Sequence, residues 1–122
     1  MYYEQGEILG LNPGWIPKVY IAILNQSGNN APDATVLANT LGVDTLWEFV
    51  STGAYSLTAT GLFVEGKTFV SIGQSDDNNK NVTMYNIDGP DKVFVKTYSD
   101  IVAGTRANGL LANTSLEIRV YP

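Results

Sequence analysis

Few side chains in this chain are able to do chemistry, and carboxylates are the largest group among them. The sequence contains no histidine and no cysteine. Histidine is the commonest general acid or base, and the cysteine thiolate is a common nucleophile, so both routes are closed. No Gly-x-Ser-x-Gly motif is present to activate a serine. Of the common catalytic arrangements this leaves a pair of carboxylates, which is the pair that a glycosidase uses.

The acidic residues are poorly placed for that reaction. Four of them, Asp76, Asp77, Asp88 and Asp91, fall in segments that read as turns, and Asp44 and Glu65 fall at the ends of expected strands. Two carboxylates of a glycosidase must face each other across a bound sugar. We therefore predict that the protein is not an enzyme, and a glycosidase is the last of the alternatives.

One loop could offer oxygen ligands to a calcium ion. Asp76 and Asp77 are followed by two asparagines, and Ca²⁺ prefers carboxylate and carbonyl oxygens. The run lacks the spaced ligands and the closing glutamate of an EF-hand. A solvated turn explains it better, so we expect no metal and no cofactor, with Asp76 and Asp77 as the calcium candidates.

Aromatic residues form the second group of interest. Seven tyrosines and two tryptophans could stack on sugar rings or fill a protein interface. The alternation of residues 92–98 (KVFVKTY) and 115–121 (SLEIRVY) places Tyr98 and Tyr121 on outward faces. Trp47 lies in an alternating segment and is expected in the core. The sequence leaves glycan contact and protein contact open for the two tyrosines.

Charge and hydropathy exclude other partners. Twelve acidic residues against seven basic ones give a net charge of −5, and no segment concentrates lysine or arginine. Nucleic acids and anionic membranes attract basic patches, so neither is expected as a partner. No apolar run approaches the roughly 20 residues of a membrane span. The first residues lack signal-peptide features, so we expect synthesis and retention in the cytoplasm unless lysis or a particle carries the protein out.

The periodicity predicts an all-β domain. At 122 residues the chain has the usual length of one domain. Short alternating or doubly apolar segments recur every 8–12 residues, as expected for an antiparallel β-sandwich of about seven strands. These segments are residues 18–24, 44–50, 55–60, 67–73, 81–87, 92–98 and 115–121.

Residues 31–42 are ambiguous. Pro32 near the start and Gly42 at the end would suit a short helix. Thr35 and Val36 instead favour extended chain because β-branched side chains fit strands well. We prefer a strand and a turn here.

Residues 1–17 differ from the β domain that we place at 18–122. Glycine and proline are too frequent in this segment for a long regular element. It nevertheless carries more large apolar side chains than a flexible tail needs. We predict an extended arm that contacts its own domain or a neighbouring subunit through Tyr2, Tyr3, Ile8, Leu11 and Trp15.

Several stretches of residues 18–122 together resemble a known family. They are the KVYIAILNQSG run at 18–28, the APxATVLxNTLG run at 31–42, Trp47, Gly53-x-Tyr55, KTFV at 67–70 and LLxNTSxEIRVYP at 110–122. The set is similar to small β-sandwich proteins and modules encoded by tailed bacteriophages of Bacteroidota and related prophages. The resemblance does not extend to the arm, and it transfers no catalytic residue.

The resemblance implies a structural component of the virion, such as a capsid-decorating, head-fibre or tail-accessory protein. Its partners would be other virion proteins and further copies of itself, with a trimer as the expected symmetric oligomer. A phage protein released by lysis needs no signal peptide. The alternative is a carbohydrate-binding or host-adhesion module that uses its exposed aromatic residues.

Overall fold

A computed structural model describes residues 16–74 and 82–122 of the chain. These residues form nine strands and no helix. The strands are β1 Lys18–Asn25, β2 Asp33–Asn39, β3 Leu46–Ser51, β4 Ala54–Thr58, β5 Thr68–Ile72, β6 Val82–Asp88, β7 Lys92–Asp100, β8 Thr105–Arg106 and β9 Thr114–Val120.

The strands make two antiparallel sheets. The first sheet has the order β2-β1-β9-β5, and the second has the order β3-β4-β7-β6, with the short β8 paired to the end of β7. The predicted all-β sandwich is therefore confirmed. Residues 31–42 contain β2 and no helix, so the preferred strand is confirmed and the helix alternative is wrong. Strand β8 was not predicted because two residues among turns leave no periodic signal.

The core lies between the inner faces of the two sheets. In β1 every second residue is buried, namely Tyr20, Ala22 and Leu24. Strand β9 repeats the pattern, and β4 and β7 supply the opposing apolar side chains. The period of two follows from the pleat, which points successive side chains to opposite faces. Fully buried members of this core include Leu57, Val93, Val95, Leu116 and Ile118.

Trp47 packs at the margin of the core rather than in its centre. Its strand, β3, is an edge strand of the second sheet, and the ring is half-buried against the core cluster. Its indole Nε1–H donates a hydrogen bond of 3.0 Å to the hydroxyl of Tyr20 in the other sheet. Burial raises the pKa of Tyr20, and the bond from Trp47 partly offsets this. The pair thus ties the two sheets together at this side.

The sandwich has two ends with different loops. At one end lie the start of β1, the end of β9, the start of β5 and residues 59–67. At the other end lie the β1–β2 loop, the β3–β4 turn and residues 107–113. No helix long and apolar enough to cross a membrane occurs in the described part of the chain.

Candidate interaction surface

The described part of the chain begins at Ile16, beside the place where three strand ends meet. Lys18 of β1 and Thr68 of β5 are both paired with Val120 at the end of β9. Adjacent strands are about 4.8 Å apart, so the root of the arm, the chain end after β9 and the start of β5 lie side by side. Residues 1–15 are joined to the domain at this place.

Large side chains around this point remain in solvent. Ile16 is 57% exposed, Phe69 51%, Val64 43% and Tyr121 41%. A cluster of exposed apolar residues on a small domain commonly marks an interaction site. We call this surface the arm-root patch and define it as Ile16, Lys18, Val64, Lys67, Phe69 and Tyr121.

Two depressions flank Tyr121. The first, of about 320 Å³, lies between Ile16 and Val64 and is closed at one side by Tyr121 and Pro122. The second, of about 330 Å³, lies between Phe69 and Tyr121, over Gly66. Volumes of this size are at the lower limit of small-molecule sites. They suit the insertion of single apolar side chains on either side of the Tyr121 ring.

Backbone and side-chain hydrogen bonds hold the patch in shape. The Tyr121 N–H donates to the Lys67 carbonyl at 2.8 Å, and the Lys67 N–H donates to the Val64 carbonyl at 3.1 Å. The Thr68 hydroxyl donates to the same Val64 carbonyl at 2.8 Å. The exposed apolar side chains therefore stand on a backbone that is already ordered, which lowers the entropy lost on binding.

Cations surround the patch in an otherwise acidic protein. Lys18 and Lys67 line the first depression, and Arg119 is paired with Phe69 across the β5–β9 ladder. The pKa of Arg119 is raised by its interactions with the Tyr121 side chain and then the Glu117 carboxylate, whose Oε2 accepts a bond of 2.6 Å from Arg119 Nε. Three of the seven cations of the chain thus stand near the arm root.

The opposite end of the sandwich is closed by a polar network around Gln26. Its side chain is only 7% exposed. Gln26 Nε2 donates toward the carbonyls of Gly28 and Asn30 at 2.8 and 3.0 Å. Gln26 Oε1 accepts from the Tyr55 hydroxyl at 2.8 Å and from the Gly109 N–H at 2.7 Å. One glutamine therefore fastens three segments of chain to each other.

Asn108 extends this network to the β3–β4 turn. Its Oδ1 accepts a hydrogen bond of 2.8 Å from the Gly53 N–H and lies 3.2 Å from the Tyr55 hydroxyl. Its Nδ2 donates to Asn29 at 3.1 Å. Burial raises the pKa of Tyr55, and a hydrogen bond with Thr97 partly lowers it again. The Tyr55 phenol is thus kept neutral and serves as a structural hydrogen-bond donor.

A polar pocket of about 480 Å³ lies beside the network. Its walls are the β1–β2 loop and residues 109–112, and Asp33 is its one carboxylate. No group of three or more metal-ligating side chains occurs among residues 16–74 and 82–122. A single carboxylate among amides gives no catalytic pair and no cage for a cation.

The outer face of the second sheet carries Tyr98. It is half-buried between Val82 of β6 and Arg106 of β8. Further along the same face Phe94 lies opposite Ser56, which is completely buried although it points outward. The oxygens Ser56 Oγ and Thr58 Oγ1 are buried without a hydrogen-bond partner among the described residues.

The side formed by the edge strands β2 and β3 is also apolar. Leu37 and Val50 are 63% and 50% exposed, and each lies at a shift of register, where one strand has an extra residue. Such bulges turn side chains aside and discourage pairing of edge strands with other chains. This side is therefore less suited to strand addition than its composition indicates.

The structure does not bring the predicted contact residues together. Tyr121 lies in the arm-root patch, whereas Tyr98 lies on the other sheet near the polar end. The predicted arm residues Tyr2, Tyr3, Ile8, Leu11 and Trp15, like the calcium candidates Asp76 and Asp77, lie outside the described residues.

Sequence reasoning missed Val64, Lys67 and Phe69 as members of a surface. The alternation of residues 67–73 could have found one of them, because Phe69 shares a face with Lys67 and Ser71 and not with Val70. Gln26 was missed because its segment reads only as a polar loop. Nothing in such a loop tells which amide turns inward.

Comparisons with known proteins find no match: no family model fits the chain, and no curated protein or solved structure is detectably similar to it. The resemblance to phage proteins stays a prediction, and the geometry of the surface must carry the functional argument.

Proposed function

We propose that this chain is a non-enzymatic structural protein of a virion, an auxiliary component of the decoration or fibre type. It attaches through its N-terminal arm and associates with further copies of itself. The observation that supports this most directly is the arm-root patch. Exposed apolar side chains and cations surround the point from which residues 1–15 leave the domain.

Contact explains the described residues better than catalysis does. Catalytic sites are recognised by titratable groups with shifted pKa values in a cleft. The two buried groups with shifted values, Tyr20 and Tyr55, are both engaged in hydrogen bonds that join structural segments. We therefore assign the protein to binding, and we place its partners among proteins.

The virion as the location rests on the resemblance of residues 18–122 to phage sandwich proteins. A particle released by lysis requires neither secretion nor catalysis from its accessory proteins. A closed cyclic oligomer, with a trimer as our proposal, would match the symmetric sites of a capsid.

The arm can be tested within the full-length chain. Replacing Tyr2, Tyr3, Ile8, Leu11 and Trp15 with serine removes five of its large apolar side chains and leaves the described core untouched. Tagged protein is supplied during infection, particles are banded on a density gradient, and the tag is quantified by mass spectrometry. We expect wild-type protein to band with the particles and the serine variant to be lost from them.

A control variant with Gln5→Ser and Asn12→Ser tests whether any change in the arm has the same effect. It should still band with the particles. If wild-type protein never bands with particles, the virion role is wrong. If the five-serine variant bands as the wild type does, the arm is not the attachment device.

A carbohydrate-binding module is the second candidate, and the outer face of the second sheet is what favours it. Tyr98 and Phe94 lie along this face with the exposed Met84 and the cation of Arg106 beside them. Aromatic and cationic groups on an open sheet face can stack on and orient a sugar. A glycan array should then give a hit that Tyr98→Ala removes and Tyr121→Ala retains, and an array without hits would dismiss this candidate.

A further inference from the structure

We propose that the arm-root patch is the acceptor for the N-terminal arm of a second copy of this chain. The inference rests on the proposed function, since it names the partner that the arm would bind during self-association. Three observations support it: the charge of the arm, the two apolar depressions of the patch and the length of residues 1–15.

The charges of the two surfaces are complementary. Residues 1–15 contain Glu4 and Glu7 and no lysine or arginine. At the patch, Lys18 and Lys67 line one depression, and Arg119 adjoins Phe69. The carboxylates nearby are Glu65 in the preceding loop, Glu117, which pairs with Arg119, and Asp91, which accepts a hydrogen bond from the Gly61 N–H. Among the described residues that line the two depressions, however, the charged side chains are Lys18 and Lys67, and no acidic side chain is present.

Apolar groups are also matched. The arm holds aromatic and aliphatic side chains separated by glycines, and the patch offers two depressions on either side of Tyr121. Each depression has room for a single large side chain. Burial of such side chains contributes about 25 cal/mol per Å² of apolar area removed from water. Charge would set the orientation of the arm, and apolar burial would supply most of the affinity.

The length of the arm favours a second copy over its own domain. Fifteen residues span at most about 50 Å when extended. A domain of this size has a radius of gyration of about 13 Å. The arm leaves from Ile16, which is itself a wall of the first depression. The arm is therefore much longer than it needs to be to cover the surface next to Ile16, and it is long enough to reach a neighbouring domain.

An arm that leaves one copy and enters the patch of the next makes a head-to-tail contact. Such contacts close into rings when the rotation between copies permits, which agrees with the cyclic oligomer proposed above. In this arrangement each copy donates one arm and accepts one arm.

A charge exchange between two variants tests the contact. The first variant carries Glu4→Lys and Glu7→Lys, so that its arm repels the unchanged, positively charged patch of another copy of the same variant. The second carries Lys18→Glu and Lys67→Glu, so that its patch repels the normal arm. Each full-length variant alone is expected to associate at least about tenfold more weakly than wild type in sedimentation experiments at low salt. An equimolar mixture should recover association, because the arm of each variant meets a patch of opposite charge on the other variant. In a trimer two of the three contacts can be matched in this way.

A control reverses two charges elsewhere. Lys96→Glu with Arg106→Glu changes the same net charge on the outer face of the second sheet and should associate as wild type does. Raising the salt to about 1 M, where the Debye length is about 3 Å, should reduce the differences between the variants.

Three results would overturn the inference: a wild-type protein that is monomeric at all accessible concentrations, a mixture that stays dissociated, or a patch variant that associates normally. The first together with a loss of thermal stability in both variants would show that the arm covers its own domain. If the patch variant associates normally while the five-serine arm variant is lost from particles, the arm binds elsewhere. The proposed function would then stand without this acceptor.

Discussion

The two ends of the sandwich differ in whether their side chains are bonded within the chain or exposed to solvent. At the polar end Gln26, Tyr55 and Asn108 join three segments of chain through short hydrogen bonds. At the arm-root end, large apolar side chains such as Phe69 and Tyr121 stand in solvent above an ordered backbone. One end has its hydrogen-bonding groups paired within the chain, and the other leaves large apolar side chains exposed.

The two ends show how buried polar groups that stabilise the fold differ from exposed apolar groups that can form an interface. The loss of any member of a buried amide network lowers the stability, because each group left without a partner stays removed from water. An exposed apolar side chain contributes little to folding and gains free energy only when a partner covers it. Substitutions at the polar end should therefore change stability, and those at the arm root should change association.

The largest expected effect comes from a glycine at the polar end. Gly53 has φ +66°, and a Cβ atom there would lie 2.7 Å from both Arg106 Cβ and the Thr97 carbonyl oxygen. Gly53→Ala should therefore lower the free energy of unfolding by about 3 kcal/mol or more, as measured by urea denaturation.

A glycine at the other end is the matched control. Gly66 has φ +84°, but a Cβ atom there would meet nothing within 4 Å. Gly66→Ala should cost only the left-handed strain of about 1 kcal/mol. Equal losses for the two variants would contradict the view that close packing around Gly53 leaves no room for a Cβ atom.

The next effect comes from the amide at the centre of the network. Gln26→Ala leaves the Gly109 N–H without its acceptor and the Tyr55 hydroxyl with only the longer contact to Asn108 Oδ1, and it also removes the Nε2 bonds to the loop carbonyls, so we expect a loss of about 3 kcal/mol in unfolding free energy. Gln74→Ala is the control, since this exposed glutamine also donates to and accepts from one backbone residue, Thr83. Its loss should be about 1 kcal/mol. If Gln26→Ala loses no more unfolding free energy than Gln74→Ala, the network does not stabilise the fold.

A smaller effect depends on pH. An unfolded tyrosine has a pKa near 10, and burial raises that of Tyr55 in the folded state. The folded chain then holds this proton more tightly, so the stability from Tyr55 is complete below about pH 10 and declines as pH rises toward the raised pKa.

Tyr55→Phe should cost about 1–2 kcal/mol at neutral pH through the lost hydrogen bond to Gln26. It should also make stability fall less steeply above about pH 10, because the variant lacks one phenol that ionises at a lower pH in the unfolded chain than in the folded one. Urea denaturation at neutral pH and at several values above 10 measures both effects. An unchanged alkaline slope would mean that Tyr55 is not held neutral by the fold.

The strand pattern was predictable because it depends on alternation, which the sequence displays directly. In residues 115–121 the alternation that puts Tyr121 outside puts Leu116, Ile118 and Val120 inside, and the structure buries all three. Residues 31–42 were harder because Pro32 and Gly42 are compatible with either element. The strand forms there because β1 offers an unpaired edge that β2 can join, and no local propensity reveals that edge.

The surfaces were only partly predictable. Tyr121 was expected outside, but its neighbours Ile16 and Val64 come from separate stretches of chain that only the fold brings together. Gln26 carries no local sign of its burial, because its partners Tyr55 and Gly109 are 29 and 83 residues away. Long-range convergence of this kind requires the topology and not only the periodicity.

The smallest expected effect on stability is at the arm root itself. Phe69→Thr places a β-branched residue, which fits strands well, in β5 and removes an aromatic ring that is half in solvent. The free energy of unfolding should therefore change by no more than about 0.5 kcal/mol. Sedimentation of the same variant should nevertheless reveal weaker self-association, since the ring is a wall of the depression beside Tyr121. A variant that loses several kcal/mol would show that Phe69 supports the domain, and the contrast between the two ends would fail. A variant with normal stability and normal association would leave the contrast intact and remove Phe69 from the interface.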